Sequence, residues 1–393
     1  MKIKQNLLLL SITSLAFLRA ASGFGFGMAL PLYYYGKIEE SLIGFVVAAT
    51  ALAYLFSPYL FRNAYKKIGM KTCMLISCLG FVIVQIGIQF FIDIPIIIYI
   101  FLFCDGVVLG IFWPVISGIF TVIVSQVNDE LKKNKLNRMF GLSWNIGGIF
   151  GYLLSAFALF IMSDILLVFD ISLIYTIIGL IIAISLKEPQ TNFGEEKAFK
   201  KENSNPDSET TWKFPVYVPL LMALLFGLIV GAWGVMYPVK SKVLNFSDFS
   251  AYVVSFVRMI IQTTCISYAL VLPVRKLKKS IPFLMLITLI GMVVIGFAQD
   301  LITCIIIAGI LGAFIGFCHA FGFRLTIYKN LERNDMKATT YFETTLGINF
   351  WLGPIFGGLL ADISILLGFS MLAIILLIAM LFFIAVQSKI EIK

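Results

Sequence analysis

Three ionisable side chains of this sequence stand inside apolar runs. Arg19 lies about fourteen residues from either end of the first long run, Asp105 about ten residues into another, and Arg258 near the middle of a third. A charge at the centre of a bilayer costs at least about 2.5–3.5 kcal/mol unless it is paired or hydrated, so such positions mark substrate sites, proton relays or braces. A guanidinium offers a bidentate partner to a carboxylate or phosphate. A carboxylate in hydrocarbon is pulled two ways, because burial favours the neutral acid and a nearby cation favours the anion; changed surroundings then load or unload a proton. His319, the single histidine, follows Gly312 and Gly316 and is a second coupling candidate, against the plainer reading of a hydrogen-bonded core residue. Trp113 follows Gly106 and Gly110 in the same way and reads as cavity wall or packing. Arg324 and Glu343 are expected at similar depth near the inner ends of consecutive spans, paired as a brace or a gate.

Helices that cross a membrane must position these groups. The 393 residues are 60% apolar or aromatic and 13% charged, with a mean hydropathy of +0.99, which excludes a soluble globular enzyme. Runs long enough to cross fall near 7–35, 41–61, 72–92, 95–125, 138–162, 165–186, 215–239, 248–272, 282–299, 301–328, 337–361 and 364–386. The expected fold is an all-α membrane protein of twelve helices. Lys2 and Lys4 before a leucine run, with Ala20, Ala21 and Ser22 beyond it, imitate a secretory signal. The run continues to Tyr35, however, so it reads as an uncleaved span. The polar stretch 187–214, with Pro189 and the segment Asn203, Ser204, Asn205, Pro206, Asp207, reads as a cytoplasmic linker between six-helix bundles at 1–186 and 215–393.

The net charge of +9 has a topological meaning. With loops alternating sides, only Lys37, Lys240 and Lys242 fall opposite the termini, and Arg19 and Arg258 lie in spans; the other 25 of the 30 Lys and Arg share the side of both termini. That bias puts both termini in the cytoplasm of a cell-membrane protein and leaves no charge to assign to nucleic acid. The cysteines at 73, 78, 104, 265, 304 and 318 sit in or beside apolar runs without a CxxC pair, so neither disulfides nor a metal site is expected. GxxxxGK[ST], HExxH and GxSxG are absent, which argues against nucleotide hydrolysis and enzyme chemistry and against a cofactor.

At an offset of 206 residues, Gly106, Gly110 and Trp113 fall on Gly312, Gly316 and His319, and WNIGGIFGYLL (144–154) falls on FWLGPIFGGLL (350–360). Gly147 and Gly151 thereby match Gly353 and Gly357, and Pro354 and Gly358 follow in the second copy. One offset across two spans argues for duplication of a six-helix unit. Glycines four apart let helix backbones approach closely, and the same packing or bending use is expected of Gly23, Gly25 and Gly27, whose spacing is wrong for a dinucleotide loop. Gln85 and Gln89, one turn apart, are expected to bond a neighbouring helix; Trp233 and Tyr237 read as an interfacial belt.

This layout resembles the major facilitator superfamily over nearly the whole chain. GPIFGG (353–358) is similar to the glycine-proline core typical of the family's antiporters, although it lies here in span 11, while span 5 has GGIFGY with Gly148 in place of the proline. RNAYKKIGMK (62–71) is similar to the family's first signature loop through Lys66, Gly69 and Lys71, with Tyr65 where aspartate usually stands. The resemblance implies a central cavity lined by spans 1, 4, 7 and 10 and alternating access. Arg19 and Asp105 would then meet in one cavity, either as a fixed brace or in substrate or proton binding. The expected function is proton-coupled transport of a small organic solute by a monomer in the lipid bilayer, with export ahead of uptake. The alternatives are uptake of a sugar or organic anion, with Arg19 or Arg258 holding the anion, and a non-transporting protein such as a lipid scramblase or receptor-like subunit. From the charge count, Lys37→Cys and Lys278→Cys in a background without native cysteines should label from opposite faces of the membrane; labelling of both from outside would overturn the topology.

Overall fold

The computed structural model describes residues 2–61, 64–125, 127, 130–186, 212–333 and 337–392. Its helices are α1 (Lys2–Tyr34), α2 (Glu40–Phe61), α3 (Ala64–Ile68), α4 (Met70–Phe91), α5 (Pro95–Ser125), α6 (Glu130–Met162), α7 (Leu166–Ser185), α8 (Tyr217–Val243), α9 (Asp248–Ala269), α10 (Val274–Phe297), α11 (Leu301–Arg333), α12 (Lys337–Ile363) and α13 (Ile365–Gln387). All but the short α3 are long and apolar enough to cross a membrane, giving twelve spans. Most of the expected linker lies outside the described residues. At its end, β1 (Trp212–Lys213) pairs antiparallel with β2 (Glu391–Ile392).

Two elements run past their apolar stretches. The α6 helix begins at Glu130 and α10 at Val274, about eight residues before the apolar runs alone indicate. Helical hydrogen bonding does not stop at the membrane surface, and Pro273, with its φ of −56°, opens α10 ahead of the basic turn. The signature-like loop contains α3, and Gly69 follows it with φ +85°, a left-handed conformation that favours glycine. Ser247 and Ser364 cap α9 and α13 by accepting the Ser250 and Leu367 amides. Asp300 accepts the Thr303 amide at the start of α11, and that bond holds its carboxyl below the usual range.

Lipid is as apolar as leucine, so close backbone contact rather than a hydrophobic drive must hold these helices together. A Cβ on Gly147 or Gly151 would collide with the Phe17 or Ala21 carbonyl oxygen of α1. Gly353 and Gly357 seat α12 on Leu228 and Ala232 of α8 in the same manner, where an added Cβ would stand 2.8 Å from each carbonyl oxygen. Gly106 and Gly110 of α5 press on Thr50 and Ser57 of α2, as Gly312 and Gly316 of α11 press on Arg258 and Gln262 of α9. Both halves therefore repeat the same two glycine seams. Pro354 and Gly358 meet Gly44 of α2 and so join one half to the other. Gly25 packs on Ser155 and Gly151, whereas Gly23, Gly27 and Gly234 have no atom within 4 Å of where a Cβ would stand. These three open space instead of closing it.

The buried apolar side chains form two main cores. One joins the outer parts of the first six spans, meaning the side opposite both termini, including Phe26, Ile43, Ile88 and Phe169, to the interior of the last six. The other, built on Ile12, Met74, Phe112 and Ile116, belongs to the inner parts of the first six spans alone. Between them lies a layer with buried Arg19, Ser22, Gln85, Asp105, Ser172 and Thr176. Gly147→Val should destabilise the protein by about 1–3 kcal/mol or more through overpacking, whereas Gly27→Ala should leave thermal stability in detergent unchanged. Equal stability of the two variants would contradict the glycine seams.

Candidate functional site

Asp105 and Arg19 meet in that layer. Arg19 Nη2 donates to Asp105 Oδ2 at 2.6 Å, and the two side chains are 8% and 3% exposed. The guanidinium also lies 4.1 Å above the ring of Phe81 on α4, a contact that stabilises a cation most where water is excluded. Pairing satisfies only half of each group, because Arg19 Nη1 and Asp105 Oδ1 have no hydrogen-bond partner. Gln85 stands one turn from Phe81 on the same buried face of α4, and both of its amide atoms are also without partners. The α4–α5 register puts it at similar depth to Asp105, since Gly80 faces Val108 and Gly87 faces Phe101. Buried polar atoms are ordinarily satisfied, so this cluster has room in its bonding for water, a proton or a ligand group. The expected inter-helix hydrogen bond is made by Gln89, which donates to Asp170 at 3.1 Å, and not by Gln85.

Arg258 is set apart from this pair. Its Nη1 donates to Gln262 Oε1 at 2.9 Å, its Nε is without a partner, and no ion pair with an acid is formed at it among the described residues. His319 lies in a phenylalanine nest, 4.7 Å between ring centres from Phe226 and 6.1 Å from both Phe323 and Phe342. Its Nδ1 has no partner, so the hydrogen-bonded core histidine is not what the structure forms. Trp113 packs edge-on against Phe112 at 5.2 Å and stays partly accessible.

Two expectations are corrected. Arg324 does not pair with Glu343; its Nη1 donates to the carbonyls of Ala269 and Leu272, where α9 ends and leaves acceptors unsatisfied. Glu343 is exposed on α12, next to Thr344, which bonds Tyr59 of α2 at 3.2 Å. Trp233 and Tyr237 form no interfacial belt, since they stack face to face at 4.8 Å and are 2% and 0% exposed. Lys240, counted among the outer cations, is buried and donates to the Gly296 carbonyl at 3.2 Å.

The halves touch along α2 and α12, from Gly44 against Pro354 and Gly358 to the Tyr59–Thr344 bond near the basic loop, and along the outer parts of α1, α6 and α9. Tyr252 of α9 donates to the Gly25 carbonyl of α1 at 2.6 Å, and Phe160 of α6 meets Phe249 at 5.3 Å. A cavity of about 230 Å³ beside Phe249 is lined by Leu159, Ser163, Lys242 and Asp248, the last two joined at 2.7 Å. The larger cavity, about 350 Å³, lies between the inner parts of α1 and α6 along Thr13, Phe17, Met139 and Ile146 and contains none of the ionisable candidates. The composition of its wall makes it the weaker claim to a site. Among the described residues no cluster of His, Cys, Asp and Glu could hold a metal ion. Tyr252 and the nest around His319 were not legible as site features, because phenylalanine is common along every span.

The profile of the Major Facilitator Superfamily matches residues 12–329. The chain belongs to that superfamily. It is a multi-pass membrane transporter, and its fold is that of solved superfamily structures. The nucleoside transporter NupG superposes with a TM-score of 0.70 at 16% identity, covering 98% of this chain and 100% of that one. A structure described as giving insights into substrate recognition in proton dependent oligopeptide transporters superposes at 0.72, with 13% identity over 98% and 99% of the two chains. The peptide transporter POT in complex with sulfate gives 0.71, with 12% identity over 98% and 95%. No curated protein matches the sequence. In this superfamily member, Arg19→Met and Asp105→Leu should each cost about 3–5 kcal/mol by leaving a buried charge, and the double substitution should recover most of that loss. Additive losses in detergent unfolding would mean that the two residues do not interact energetically.

Proposed function

We propose that this transporter couples the movement of a small organic solute to protons, with Asp105 as the proton-carrying group and Arg19 as the counter-charge that sets when it is loaded. The observation that carries the reading is the half-satisfied buried pair: each group keeps one unbonded atom at mid-depth. Moving Arg19 away, or admitting water beside Oδ1, changes the balance that decides whether the carboxyl holds a proton. Residues 1–186 and 215–393 are the two rocking bodies. The core shared on the outer side supports a state closed outside, with the halves still bridged inside by the Tyr59–Thr344 bond near the inner ends of α2 and α12. Reopening outside requires breaking the Tyr252–Gly25 and Phe160–Phe249 contacts. Export remains ahead of uptake, and the membrane is the cell membrane with both termini in the cytoplasm, as the charge bias indicates.

The test uses proteoliposomes under an imposed pH gradient, with a solute first identified by thermal-shift screening. Asp105→Asn keeps an acceptor for Arg19 and should retain solute exchange while losing gradient-driven accumulation, and Asp105→Glu should restore part of it. Full accumulation by Asp105→Asn would remove this residue from the coupling step and leave His319 or Glu343.

A further inference from the structure

We infer that Arg258 and Gln262 form the anion-recognising part of the solute site, so that the transported compound carries a carboxylate on a compact apolar body. The inference rests on the transport reading above but not on its proton step. Arg258 is 3% exposed and lies ten residues into α9, roughly 15 Å of helix from the outer end. In hydrocarbon a guanidinium needs an anion or several acceptors, and this one has a single acceptor, an unpartnered Nε and no acid in ion-pairing range among the described residues.

The fold does not explain the arginine. What packs against Gly312 is its backbone carbonyl, and the equivalent seam in the other half, at Gly106, is made by the carbonyl of Thr50. A small neutral residue therefore performs the same packing task. The side chain lies on the buried stripe Ser255, Arg258, Gln262 and Ile266, while Ile260, Thr264 and Tyr268 mark the exposed side of α9. The stripe is flanked by α11 at Gly312 and by α6 of the other half, where a Cβ on Gly148 would stand 2.8 Å from the Met259 methyl. Because the adjacent Gly147 packs at Phe17, Arg258 sits at about the depth of Arg19. Of two arginines at one level, one has its carboxylate from the protein and the other lacks one.

The proposed room for the rest of the compound is the open space at the glycines of α1 and α8. Gly23 and Gly234 each lie two residues beyond the seam positions Ala21 and Ala232, so they are equivalents on α1 and α8, and Gly27 adds a further turn. A planar guanidinium with Nε and an Nη free in its fork matches a carboxylate bidentately. Gln262 steadies the guanidinium by accepting from the other nitrogen.

Thermal unfolding and binding are measured on purified full-length protein with benzoate, phenylacetate and 3-phenylpropionate, each against its amide, and with phenyl phosphate. At least one acid should stabilise the wild type where its amide does not, and Arg258→Gln should weaken its apparent affinity by about tenfold or more, with Arg258→Lys intermediate. The readout is binding without an imposed pH gradient, so a failure of proton coupling leaves this result standing. Amides that bind as well as acids, phenyl phosphate binding where no carboxylate does, or undiminished binding in Arg258→Gln would each overturn the assignment. If Arg258→Gln does not fold, Arg258→Lys and Gln262→Leu carry the comparison, and wild-type acid affinity in both would overturn it as well.

Discussion

The cost of holding an ionised side chain away from water governs this structure. In hydrocarbon that cost can be lowered by a partner, by water or by loss of charge, and the protein uses the first for Arg19 and Asp105 at 2.6 Å. To bring the partners together it interrupts its own packing. The apolar interior of the first six spans is divided into an outer core shared with the second half and an inner core of its own, with the pair, Gln85 and the bonded hydroxyls of Ser22 and Ser172 between them. A layer of polar groups between two apolar blocks can exchange its contacts for water without exposing apolar surface.

Symmetry and asymmetry divide the work. The glycine seams are duplicated, α6 on α1 like α12 on α8, and α5 on α2 like α11 on α9, so each half is a rigid frame held by backbone contact. The side chains on the frames differ. Where one half has Thr50, the other has Arg258, and where one has Trp113, the other has His319. In the proposed mechanism the duplicated frame supports the alternation and the unlike side chains supply the substrate and coupling sites.

Much of this was legible in the sequence, for reasons that can be stated. Span number, the repeat and the packing glycines follow from hydropathy and residue size, which the bilayer constrains strongly. The meeting of Arg19 with Asp105 needed the superfamily arrangement as well, because 86 residues separate them. Failures occurred where the partner is a backbone group or a ring. Arg324 binds the carbonyl end of α9, which has no sequence signature, and nothing in the spacing of Arg324 and Glu343 distinguishes that from an ion pair. Trp233 and Tyr237 were read from their nearness to a helix end, yet they stack inside the last six helices, where Trp233 meets Phe369 at 6.1 Å. Of Gly23, Gly25 and Gly27, all read as packing or bending positions, only Gly25 packs. The helical phase of the other two turns them toward open space, and a glycine's use depends on what lies opposite.

The account turns on whether the protonation of Asp105 follows the access state, and infrared difference spectroscopy of its carboxyl band reads that directly. The band is assigned by its loss in Asp105→Asn. Protein cross-linked through Phe160→Cys and Phe249→Cys, in a background without native cysteines, is held closed on the outer side with the Arg19 pair intact. The account predicts that this form and the uncross-linked protein, which is free to open outward, gain the protonated band at different pH. Identical titrations of the two forms would contradict it.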